Sequence, residues 1–123
     1  MFEYLLADLI ARNEGTVGVL FVDDSGETVD LACSEASHYQ MKVVGAYVGI
    51  YLRQMQDFLR SSGFGEARWL HIEKESFHIY VRPLPEGYYL VLVQRAPASA
   101  ARAQRTLELA AEQLRLELFP AAP

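Results

Sequence analysis

Residues 37–62 read SHYQMKVVGAYVGIYLRQMQDFLRSS, a stretch without proline and with only two glycines, long enough for about seven turns of helix. Ser62, Gly63 and Gly65 supply its stop. At 100° per residue, Met41, Val44, Val48, Tyr51, Leu52, Met55, Phe58 and Leu59 form one stripe, which Val43, Tyr47 and Ile50 widen to an arc of about 200°. One sheet contact uses less than that, so this helix is expected to serve two surfaces. Lys42, Arg53 and Arg60 cluster on the opposite side, beside Gly45 and Gly49. Each helix-interior glycine costs about 0.8–1 kcal/mol relative to alanine. Close approach of another backbone at this i, i+4 pair is the expected compensation.

Upstream, TVGVLFV at residues 16–22 is continuously apolar and rich in β-branched residues. DDSG then supplies turn chemistry and TVDLAC at 28–33 resumes as alternation. Together they predict a hairpin whose first strand is central and whose second lies nearer an edge. Before it, Phe2, Leu5, Leu6, Leu9 and Ile10 recur at helical spacing, with Asn13 and Gly15 available to stop a short amphipathic helix over 2–12.

Downstream come three strand-like runs, ARWLHIE at 67–73, SFHIYVRP at 76–83 and YYLVLV at 88–93, the last two separated by LPEG. A two-residue turn at Lys74 and Glu75 sets Trp69 opposite Tyr80 and His71 opposite His78, leaving Leu70, Ile72, Phe77 and Ile79 on the other face. After Arg95, APASAARAQ starts a last helix with Ser99 as cap, and Thr106, Leu107, Ala110, Ala111, Leu114 and Leu118 share one face. The order helix, strand, strand, helix, strand, strand, strand, helix predicts an α+β fold, with a single five-stranded antiparallel sheet sandwiched by helices. Residues 1–119 are expected to form one domain and 120–123 a frayed tail.

At 123 residues, 51% apolar and 22% charged, the chain is of a size and composition to bury one core. Sixteen acids against eleven Lys plus Arg give a net charge of -5, which argues against a nucleic-acid partner. The charge is polarised, since residues 1–35 hold eight acids and only Arg12, whereas 36–123 hold eight acids and ten bases. Cys33 is the only cysteine, so no intrachain disulfide or cysteine-based zinc site exists, and a buried, inert thiol in a reducing compartment is expected. MFEYLLADLI lacks the basic head and small-residue cleavage pattern of a secretory signal, and no apolar run reaches about 18 residues. A cytoplasmic chain without membrane insertion is the expectation.

Chemistry-bearing motifs are few. No phosphate loop ending in Lys-Ser or Lys-Thr occurs, no G-x-G-x-x-G follows a strand, and no G-x-S-x-G elbow exists. His71, His78 and Glu73 together offer three metal donors. Flanking Trp69 and Tyr80 instead read as a packed or interfacial patch, so no metal is expected there. Asp23, Asp24, Glu27 and Asp30 lack the spacing of a calcium loop and read as a solvated hairpin turn, with an acidic contact for a basic partner as the second reading. No catalytic residue and no cofactor are assigned, and the chain is read as a non-enzyme.

Two segments carry a family resemblance. GVLFVDDSGETV, residues 18–29, and VRPLPEGYYLVLV, residues 81–93, followed by Ala-Pro and a helix containing ARAQRTLELAAEQL, resemble the Roadblock domain of dynein light chains and bacterial regulators of Ras-like GTPases. Members often place a glycine before the last helix, where this chain has Ser99, Ala100 and Ala101. The resemblance implies a homodimer in which the long second helices pack together and the third strands join edge to edge. The expected dimer interface is Val43, Gly45, Tyr47, Gly49, Ile50, Trp69 and His71, and the expected partner-binding residues are Lys42, Arg53 and Arg60. The implied partner is a small Ras-like GTPase. A scaffold or motor-associated light chain without effect on GTP turnover, and a small-molecule sensor with a pocket between sheet and helix, are the alternatives.

Overall fold

Every residue of TVGVLFV is buried. A strand with no exposed face must lie inside a sheet covered on both sides, and this constraint organises the molecule. The computed structural model describes residues 2–119, so the tail expected at 120–123 lies outside the described residues. In chain order it contains α1 (Glu3–Arg12), β1 (Thr16–Val22), β2 (Thr28–Cys33), α2 (His38–Ser62), β3 (Leu70–Glu73), β4 (Phe77–Pro83), β5 (Tyr89–Arg95) and α3 (Ala100–Leu118), with a 3-10 turn at Pro85–Gly87. The five strands form one sheet in the order β2-β1-β5-β4-β3, and every pairing is antiparallel. The α+β architecture follows the predicted order of elements.

Alternation along β1 divides the core in two. Val19 and Phe21 join Tyr80, Leu90 and Leu92 under α1 and α3, whereas Leu20 and Val22 join Tyr89 and Val91 under α2. At the far end of β1, Asn13 ties α1 to α3: its Nδ2 donates to the Leu9 carbonyl and to Thr106 Oγ1, both at 2.9 Å.

The structure corrects the predicted β3–β4 register. His71 pairs with Tyr80, and His78 with Glu73, because the connection runs over Lys74–Phe77, closed by the Lys74 N–H on the Phe77 carbonyl at 2.8 Å. A shift of two residues keeps every side chain on its expected face. β3 is also shorter than the run ARWLHIE. Ala67 is captured by Gln56 of α2, its N–H donating to Oε1 at 2.7 Å and its carbonyl accepting from Nε2 at 3.1 Å, which holds the segment away from the sheet. Cys33 is half-buried on edge strand β2 rather than buried, and desolvation pushes its thiol above the ordinary value.

Candidate interaction surface

α2 begins in a capping box, with the Gln40 N–H donating to Ser37 Oγ and the Ser37 N–H to Gln40 Oε1. It ends at Gly63, whose φ of 81° is the left-handed conformation that favours glycine. Between those caps its inner line is Met41, Gly45, Val48, Gly49 and Leu52, all buried. The two glycines therefore do not await a second chain. A Cβ on Gly45 would lie 3.0 Å from Leu20 Cδ1, and one on Gly49 would collide with the Tyr89 hydroxyl. They admit this chain's own sheet, which corrects their expected place in a dimer interface.

That correction leaves a narrower inner face and a larger outer one. Tyr47, Ile50, Tyr51, Met55 and Phe58 stand 60, 44, 58, 44 and 59% exposed, with Val43 half-buried beside them. Isolated exposed apolar side chains are ordinary, but five at helical spacing form a continuous stripe. Helical periodicity puts Tyr51, Met55 and Phe58 in one stripe with Met41, Val48 and Leu52, of which the structure buries only the last three. The glycine pair was the available sign that the sheet-facing line is rotated away from them. Tyr39 and Phe64, at the two ends of the stripe, are exposed as well and had no distinguishing pattern in the sequence.

β3 is the free edge on the far side of the sheet from β2. Its α3-facing side carries an aromatic cluster: Trp69 stacks on Tyr80 with centroids 5.8 Å apart, and His71 lies 4.6 Å from the same ring. His71 Nε2 and His78 Nδ1 are 2.8 Å apart, so one ring donates and the other accepts. The pair predicted to face each other thus meets diagonally. Glu73 Oε1 stands 3.9 Å from His78 Nδ1, yet among the described residues no three His, Cys, Asp or Glu side chains are grouped so as to hold a metal ion. Burial, then the Glu73 charge, pushes the Tyr80 phenol up.

No protein-family model and no curated protein match the chain in sequence. Solved structures do. The Roadblock/LC7 domain from Streptomyces avermitilis matches with a TM-score of 0.83 at 18% identity, over 95% of this chain and 97% of that one. The chain has the Roadblock fold. Two further structures agree, "MglB with tetrameric arrangement" (TM-score 0.81, 18% identity, 90% of this chain and 82% of that one) and the gliding protein MglB from Thermus thermophilus (0.80, 18%, 90% and 83%).

On this Roadblock fold the three basic candidates form a row rather than a cluster, because Lys42 and Arg60 are eighteen residues apart, about 27 Å along a helix axis. All three are exposed. Arg53 Nη1 donates to the Asp24 carbonyl at 3.3 Å, and Arg60 approaches Asp57 and Glu66 at 3.6 and 4.0 Å. The acidic hairpin is a locally satisfied turn: Asp23 Oδ1 accepts from the Ser25 and Glu27 N–H groups at 2.9 and 3.0 Å. Asp30 belongs elsewhere, since Oδ2 accepts the Phe2 N–H at 2.9 Å. No helix among the described residues is long and apolar enough to cross a membrane.

Proposed function

We propose that this chain is a non-catalytic homodimeric module in the cytoplasm that binds and regulates a small Ras-like GTPase. The observation that carries it is the outer stripe of α2, five large apolar side chains that each leave about half of their surface in water. The Roadblock fold supplies the context, and one protein of that fold has a tetrameric arrangement.

Magnitudes say what else the dimer needs. Removing the exposed half of each stripe side chain from water contributes roughly 1 kcal/mol, so the ten side chains of a symmetric pair contribute roughly 10 kcal/mol. Association costs roughly 4–15 kcal/mol. The helix seam alone is marginal, and pairing of the open β3 edges, with Trp69 and His71 beside them, supplies the remainder. Chemistry then resides in the GTPase, with the row Lys42, Arg53 and Arg60 at the rim where a partner approaches.

A sensor would need space between sheet and helix, and there Leu20, Val22, Met41, Val48, Leu52 and Tyr89 are buried against one another. Separating a regulator from a passive scaffold takes one experiment. The purified chain is used as bait for small Ras-like GTPases loaded with GDP or a GTP analogue, and nucleotide turnover and exchange are measured for any that bind. Nucleotide-dependent binding with an altered rate is expected. Binding with unchanged rates establishes the scaffold reading, and no binding to any of them removes the proposal.

A further inference from the structure

The last helix begins against the electrostatic rule. A helix N-terminus is positive and favours acids, yet the first turn of α3 holds none, and Arg102 and Arg105 occupy its first two turns. Ser99 caps only the Arg102 N–H, at 3.2 Å. Among the described residues neither arginine has a carboxylate partner. Arg102 reaches only the Arg12 carbonyl, at 3.5 Å, and Arg105 makes no hydrogen bond or ion pair.

Two adjoining open clefts, of about 430 and 860 Å³, share Arg12 and Arg102 as walls. Arg105 lines the first and Arg95 the second. Arg12 and Arg95 are held by Asp8 and Glu35, which leaves Arg102 and Arg105 as the uncompensated cations, with Glu14, among the described residues, as the one further carboxylate in the wall of the larger cleft. Gln94 lies in the wall of the larger cleft, 97% buried by its 3% exposure, with Nε2 donating to the Glu14 carbonyl at 2.8 Å and Oε1 without a partner. A buried acceptor left unpaired is costly and asks for a donor.

We infer that this end of the molecule binds an acidic peptide segment of a partner protein, because two uncompensated arginines at a helix N-terminus border two adjoining clefts, the larger of which holds an orphaned acceptor in its wall. Side-chain carboxylates answer Arg102, Arg105 and the free N–H groups of the first turn. A peptide N–H answers Gln94 Oε1, after a small rotation of that side chain, which an ionised carboxylate alone cannot do. The site shares no residue with α2 or β3 and does not rest on the homodimer reading.

The test titrates a fluorescein-labelled hexaglutamate peptide with the full chain by fluorescence anisotropy, against Arg102→Gln/Arg105→Gln. Both positions are exposed, and glutamine keeps the helix propensity. Saturable binding is expected, about tenfold weaker in the double variant and weakening between about 50 and 300 mM salt. Should the double variant lose its circular dichroism spectrum, Arg105→Gln alone, at an exposed side chain without a hydrogen bond or ion pair, carries the comparison with a smaller loss expected. Absence of saturable binding by the wild type, equal binding by the folded variant, or displacement by inorganic phosphate at the peptide's own concentration overturns the inference.

Discussion

The hydroxyl of Tyr89, on β5, donates to the carbonyl of Gly45, on α2, at 3.0 Å, buried and across 44 residues of sequence. The bond fixes how α2 lies on the sheet: the ring reaches the helix because Gly49 presents no side chain, while the bare Gly45 lets Leu20 and Val22 come close. Helix rotation in turn decides which apolar residues face outward. Burial pushes the Tyr89 phenol up, against a smaller downward pull from Arg53.

Gly49→Ala is therefore expected to destabilise by about 1–3 kcal/mol through overpacking, and Tyr89→Phe by about 0.5–1.5 kcal/mol through the lost hydrogen bond. In the double variant the colliding oxygen is gone, so the loss is smaller than the sum. Urea denaturation of the four proteins checks this, and strict additivity contradicts the contact.

Asp30 gives a pH dependence. Burial raises its carboxyl, but the interactions that lower it, among them hydrogen bonds from the Phe2 and Leu31 backbone N–H groups, together outweigh burial and hold it below the ordinary 3.8. A carboxylate depressed on folding adds stability above its unfolded pKa, and that stability is lost as pH falls through the folded value. Asp30→Asn should cost about 1 kcal/mol or less near pH 7. The gap between wild type and variant should close below about pH 3.8, and thermal melts across that range read it.

Reversing Lys42, Arg53 and Arg60 to Glu should slow association with an identified GTPase severalfold, most at low salt, while the dimer survives, because rim charges act on encounter more than on final affinity. Stopped-flow rates at two salt concentrations decide it. An unchanged rate assigns the row to solvent and makes Asp23, Asp24 and Glu27 the next surface to test.

The purified chain should neither bind nor hydrolyse GTP, since its sequence holds no phosphate-loop motif. Micromolar binding of a fluorescent GTP analogue by material free of co-purifying GTPase contradicts this.

Legibility in the sequence followed the range of the interaction. Periodicity locates the helices, and Ser99 marks the start of the last one, because spacing and caps are local physics. Strand register was not local. The Lys74–Phe77 connection is two residues longer than the turn assumed, and the Gln56 clasp on Ala67 that shortens β3 joins residues eleven apart. The glycine pair signals close packing, but its neighbour is not local, since nothing in the sequence says that Tyr89 stands above Gly49. The wide arc on α2 was visible, whereas its division into buried and exposed lines depended on that same tertiary contact.

Light scattering on the purified chain at micromolar concentration tests the outer stripe most directly. The expected mass is twice the 13.9 kDa of one chain, falling to a folded single chain in Tyr47→Glu and in Ile50→Glu, each of which would bury an unpaired charge at the seam. A wild-type mass of 13.9 kDa, or a dimer untouched by both substitutions, would contradict self-association through α2.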